Sequence, residues 1–232
     1  MDDSTKWERY GALGGILFVV LVIASIIVSG SNPKASDSAA KIYKSFHDNK
    51  DGLKVGAFLG ALAAIPILWW AGSLWARMRR AEGGQPRLAL IAVLSLVFAG
   101  AAQAGSGVLS ATVALELKDV SATDAKFFFI LGQGLSAASA VGLAALLLAV
   151  SVLAFRIRVF PIWLAWIGVL DAIAFVVGSY SVATTSDAIG GVGFVSFIVL
   201  SIWIVIVSVI MFRANEPTTV TEPASDVAAV SA

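Results

Sequence analysis

Polar segments divide this 232-residue chain into six apolar runs, each about 20 residues or longer. A helix of that length spans a hydrocarbon core of roughly 30 Å. The runs fall at residues 10–30, 55–76, 88–112, 127–155, 161–184 and 191–212. They are continuous rather than alternating, which predicts helices rather than strands. A chain surrounded by lipid must also close its backbone hydrogen bonds within helices or a barrel. The pattern therefore predicts an all-α, polytopic transmembrane bundle of six helices, one domain over residues 1–213.

The longest connection, Ser31–Lys54, holds Ala39, Ile42, Tyr43 and Phe46 at helical spacing, with Ser36 or Asp37 available as a cap. This predicts a short amphipathic helix in the first outer loop, lying on the membrane surface. Covering the ends of the spans is its plain role; docking a partner or gating a substrate is the alternative. The tail at 214–232 sets Glu216, Pro217, Glu222, Pro223 and Asp226 among small residues and reads as a disordered cytoplasmic end. Lys6 and Arg9 precede the first run as in a secretory signal, but the apolar stretch from Gly11 to Val28 exceeds the usual 7–15 residues or so. A retained helix is expected.

All eight arginines fall on one side of this topology: Arg9, Arg77, Arg79, Arg80, Arg87, Arg156, Arg158 and Arg213. The opposite side carries seven lysines and no arginine. The positive-inside rule then puts both termini in the cytoplasm. Trp7, Tyr10, Trp69, Trp70, Trp75, Trp163 and Trp166 gather toward the same face, as an interfacial aromatic belt would. Trp203 falls near mid-membrane instead.

Composition agrees and excludes. The chain is 59% hydrophobic and 13% charged, with mean hydropathy +0.91; a soluble domain is nearer one-quarter charged. Its net charge of +1 gives no reason to expect nucleic acid. With no cysteine, disulfides, thiolate metal sites and cysteine nucleophiles are excluded. His47, the one histidine, lies outside the spans, so a bis-histidine haem and an H-E-x-x-H zinc site are excluded as well. Asp48 and Asp51 beside it make too loose a set for a metal. No metal and no cofactor are expected.

Few polar groups lie inside the spans. Asp171 stands ten residues after Pro161, about 15 Å along the helix and near the bilayer centre, with no lysine or arginine at that depth. An intramembrane acid should face the bundle interior. Ser139, Ser201, Trp203 and Ser95 are its candidate neighbours by depth, Trp203 because a mid-membrane indole also needs an acceptor. The site is either proton- or cation-linked or a hydrogen-bonding pin between the fifth and sixth helices. Gln103 and Gln133 sit in the outer halves of adjacent spans among Gly, Ala and Ser, placed to bond one another or to line an outward-facing cavity.

Small-xxx-small spacing at Gly11 and Gly15, Gly56 and Gly60, and Gly134, Ala138 and Gly142 marks close helix faces. Most are expected to be used within the bundle, with Gly11 and Gly15 the candidates for self-association. Pro66 should kink the second span and free a carbonyl one turn back. The string AGSG at Ala104–Gly107 resembles the nucleophile motif of rhomboid proteases, but Ala104 replaces the family's Gly and no histidine follows in a later span. Ser106 is thus an ordinary hydroxyl. Asp171 is unpaired, which excludes an aspartyl protease.

The length, the six spans, the long first outer loop and the arginine-containing segment LWARMRRAEGGQPR after the second span together resemble an uncharacterised bacterial integral membrane protein family of the domain-of-unknown-function type. The resemblance covers residues 7–213, rests on topology and composition, and implies a bacterial plasma membrane location without supplying site residues. Three functions remain open. The favoured one is a structural or accessory subunit acting in the lipid bilayer through helix packing, as a homo-oligomer or in a larger membrane complex. The alternatives are a small transporter or channel using Asp171, and a lipid-modifying or lipid-binding enzyme, for which no nucleophile–base pair or metal set is present.

Overall fold

The structure is a computed structural model describing residues 9–30, 33–184 and 186–213. The tail at 214–232 lies outside the described residues, as do Lys6 and Trp7. Every regular element among the described residues is helical. In chain order these are α1 Gly14–Ser29, α2 Ala39–Asp48, α3 Lys50–Leu62, α4 Ala64–Glu82, α5 Arg87–Leu115, α6 Ala122–Ile157, α7 Ile162–Ser179, a 3-10 turn Tyr180–Ala183, and α8 Asp187–Arg213. Among the described residues six spans are long and apolar enough to cross a membrane: Arg9–Ser29, Lys50–Glu82, Arg87–Leu115, Ala122–Ile157, Ile162–Ser179 and Ala188–Arg213.

The helices overrun the apolar runs at most ends because helical hydrogen bonding continues through polar residues once a cap is supplied. Ser121 caps α6 by accepting from the Asp124 N–H at 3.2 Å. Glu82, the last residue of α4, caps α5, its two oxygens accepting from the Leu88 and Ala89 N–H groups at 3.0 and 3.1 Å. The α4–α5 turn uses Gly83 and Gly84 at φ 64° and 47°, a left-handed conformation that favours glycine. The fifth span is shorter than its apolar run, since α7 stops at Ser179 and tightens into the 3-10 turn. In the second span the helix breaks at Ala63, between α3 and α4. Pro66, which has no N–H for the Leu62 carbonyl, lies just beyond.

The spans close into a ring in sequence order, with α1 returning against α8 and α4 also touching α6 and α8. Arg9 at the start of the first span donates from Nε to the Phe212 carbonyl at the end of the last (3.3 Å) and lies over the Phe212 ring. Both ends of the bundle therefore open on the same side. On that side Arg77 joins α4 to the α6–α7 turn, donating to the Val159 carbonyl at 3.2 Å above the Phe160 ring.

Gly11, Gly15, Gly56 and Gly142 are used in close contacts inside this ring. A Cβ at Gly11 would strike Ser73 Oγ, one at Gly14 the Pro66 carbonyl, and one at Gly15 Ser208 Oγ and the Trp70 ring. Gly11 and Gly15 are therefore not a self-association face; they let α1 lie against α4 and α8. Gly56 meets Ser29 and accepts from Ser25 Oγ at 2.7 Å through its carbonyl, while Gly60 has only an ordinary contact with Ser25. A Cβ at Gly142 would stand 2.9 Å from the Ser95 carbonyl oxygen, but Gly134 faces open space and Ala138 is half-buried.

A second, smaller core closes the end of the bundle opposite Arg9 and Phe212. Ile42 and Phe46 of α2 are buried against Val113, Leu117 and Phe129. Tyr43 donates its hydroxyl to the Leu117 carbonyl at 2.6 Å, and Lys126 donates to the Asp37 carbonyl at 2.9 Å. The amphipathic helix is thus docked on the ends of α5 and α6. Its cap is Ser38, accepting from the Lys41 N–H at 3.3 Å, rather than Ser36 or Asp37. Asp37 is engaged otherwise: its carboxylate accepts from the Lys34 N–H at 2.9 Å and from the Lys41 ammonium at 2.7 Å.

Candidate functional site

Asp171 comes to its position through helical periodicity. Leu164, Gly168, Asp171, Phe175 and Gly178 recur at three- and four-residue steps and are buried along one face of α7. The facing stripe of α8 is Ser196, Leu200, Trp203 and Val207, also buried. The two helices approach backbone to backbone at the end of α7 and the start of α8, where a Cβ at Gly178 would stand 2.9 Å from the Gly193 Cα. Asp171, two turns from Gly178, is 5% exposed, and Ser196, about one turn from Gly193, is 2% exposed.

Ser196 is the side chain that interacts with the Asp171 carboxyl. Even so, Asp171 Oδ2 and Ser196 Oγ are both buried without a hydrogen-bond partner among the described residues. Such buried orphans are rare, because each loses water without replacement.

None of the neighbours expected from depth is bonded to the acid. Trp203 Nε1 donates to the Leu164 carbonyl at 3.2 Å, two helical turns from the acid. Ser201 Oγ donates to the Phe197 carbonyl of its own helix at 2.8 Å. Ser139 is buried on α6 without bonding the acid, and Ser95 belongs to the α5–α6 contact with Gly142. Sequence reasoning missed Ser196. Its signal was present in the three-residue step from Gly193 and the continuation to Leu200 and Trp203. The missing fact was the register of α8 on α7.

Gln103 and Gln133 do not bond each other. Contacts between α5 and α6 are made by Gly105 with Leu135 and by Gly132 and Ser136 with Ser106, whose hydroxyl accepts from Ser136 Oγ at 3.1 Å. This rotates both amides out of the interface, and both are exposed on the bundle surface. Gln103 is sixteen residues into the 29-residue α5, about 24 Å along it. Beside it Gly100 and Gly107 have no atom within 4 Å of where a Cβ would sit.

An outer crevice of about 20 Å³, room for roughly one water molecule, lies under α2 between Ser29, Ser45, Asn49, Ser110 and Phe129. Asp171 is not in its walls. His47 lies 3.7 Å from Asp48 on the exposed side of α2.

Fold and site together define a multi-pass helical membrane protein with a buried carboxyl–hydroxyl pair between its last two helices. No protein-family model matches the chain, and no curated protein or solved structure matches it either.

Proposed function

We propose that this is a structural or accessory membrane subunit that works through helix contacts with a second copy of itself or with a larger membrane complex. The observation that carries this is Gln103, an unbonded amide exposed on α5 at membrane depth. A primary amide in hydrocarbon loses its hydrogen bonds to water, and a neighbouring helix can restore them. Gly100 and Gly107 leave open space on either side of it, so another helix can come close. Catalysis forms no part of this role. Native mass spectrometry of the gently extracted protein tests it: a defined homo- or hetero-oligomer supports it, and a lone monomer overturns it.

A transporter or channel role is favoured by one different observation, the buried Asp171 carboxyl with an unpartnered oxygen. It requires Asp171→Asn to abolish flux in vesicles while the protein still folds; normal flux in that variant removes it.

For location, we infer a bacterial plasma membrane from the resemblance in topology and composition, and place the arginine-bearing side in the cytoplasm on the strength of the arginine asymmetry. The chain has no cysteine, so single-cysteine labelling is clean. An impermeant maleimide should modify Lys44→Cys on intact cells, and Gln85→Cys only after permeabilisation. The reverse pattern inverts the orientation.

A further inference from the structure

Serines inside these spans commonly return their hydroxyl hydrogen to the carbonyl four residues back. Ser201 donates to Phe197 at 2.8 Å and Ser208 to Ile204 at 2.7 Å, both on α8. Ser196, on the same helix and 2% exposed, makes no such bond and turns toward Asp171. Asp171 Oδ2 and Ser196 Oγ are thus both left unpaired, the acid two turns and the hydroxyl about one turn from a backbone-to-backbone crossing that fixes the separation of their helices.

We propose that Asp171 and Ser196 form a proton-binding site between α7 and α8, in which the pair takes up and releases one proton inside the membrane. A proton is the ligand that fits the donor set. The two side chains offer three oxygens, whereas hard cations take about six or more. Asp171 is the one charged residue of α7. The helices packed on it carry charge only at their ends, with Asp124, Lys126 and Arg156 on α6 and Asp187 and Arg213 on α8. The 3-10 turn adds Tyr180, which is exposed. Among the described residues no fixed cation is positioned to neutralise the carboxylate permanently, which leaves its charge to be set by the proton.

Loading forms one O–H bond, from hydronium to Oδ2, and the neutral acid donates to Ser196 Oγ. Release returns that proton to water, and the Ser196 hydroxyl rotates to donate to the carboxylate. Each state gives both orphaned oxygens a partner after a small closure of the pair. Access is from the outer end, where Gly190 and Gly191 leave open space at the start of α8 and Ser196 lies only about 8 Å further along the helix. The site does not depend on association through Gln103.

The test is infrared difference spectroscopy of the full chain in ester-free detergent, with 13C-aspartate to mark the carboxyl band, between about pH 5 and about pH 9. A neutral-acid band that disappears reversibly as pH rises, is absent from Asp171→Asn and is indifferent to sodium is expected. Ser196→Ala, which keeps the carboxyl, should move both the band frequency and its titration midpoint. A band that does not change across the range overturns the proposal, because the acid is then a fixed structural group. Sodium displacing the proton overturns it in favour of a cation, and an unaltered profile in Ser196→Ala removes the hydroxyl from the site.

Discussion

Gly178 and Gly193 bring α7 and α8 together backbone to backbone, a Cβ at the first standing 2.9 Å from the Cα of the second. No side-chain rotation relieves a clash with a backbone atom, so the pair sets both the separation of the helices and the register in which Asp171 meets Ser196.

Gly178→Leu should therefore push the helices apart and lower stability by about 1–3 kcal/mol, as overpacking does. Thermal unfolding in detergent measures it. Gly100→Ala is the control: with nothing within 4 Å of the new methyl, stability should stay within about 0.5 kcal/mol of the parent. Equal stability of the two variants would refute the crossing.

The outer cap hangs on a small number of bonds. Tyr43→Phe removes the 2.6 Å hydrogen bond to the Leu117 carbonyl and leaves the ring packing in place. A loss of about 1 kcal/mol is expected, felt locally as roughly fivefold faster amide exchange over residues 39–48. Exchange in α7 should not change.

Acid acts on the same cap through Asp37. The Lys41 ammonium, and then the Lys34 N–H, hold its carboxyl below the ordinary value of 3.8. A depressed folded-state pKa means that the contribution to stability is fully present above 3.8 and is lost as pH falls through the lower folded value. Carboxyl-detected NMR should find a midpoint under 3.8, and Lys41→Met should raise it. A midpoint at or above that value would show that the ion pair does not persist in solution.

If α5 is an association face, Gln103→Leu should weaken oligomerisation by about 1 kcal/mol, roughly a fivefold rise in dissociation constant. Energy transfer between labelled chains in vesicles reads this directly. Gln133→Leu is the comparison, since that amide lies on α6. No change in Gln103→Leu would leave α5 as a lipid-facing surface.

Much of the fold was legible in the sequence. Six helices, the surface helix with Ile42, Tyr43 and Phe46 on its inner face, and the burial of Asp171 follow from the cost of leaving polar groups in lipid and apolar groups in water. Those rules act on each segment alone. Partner choice does not: Asp171 meets Ser196 instead of Trp203, and Gln103 turns away from Gln133, because helices pack by interlocking their surfaces. Those surfaces admit several registers of similar hydropathy.

The glycines show the same division. Spacing marked Gly11, Gly15, Gly56 and Gly142 as sites of close approach, and sequence alone carried that far. Only the tertiary structure assigned Gly11 to Ser73, Gly15 to Trp70 and Ser208, and Gly142 to Ser95, while leaving Gly134 and Gly100 open. The sequence by itself determined what each helix must hide from lipid or from water. Which neighbour hides it was decided by steric fit between whole helices, a property of pairs that no single stretch of sequence contains.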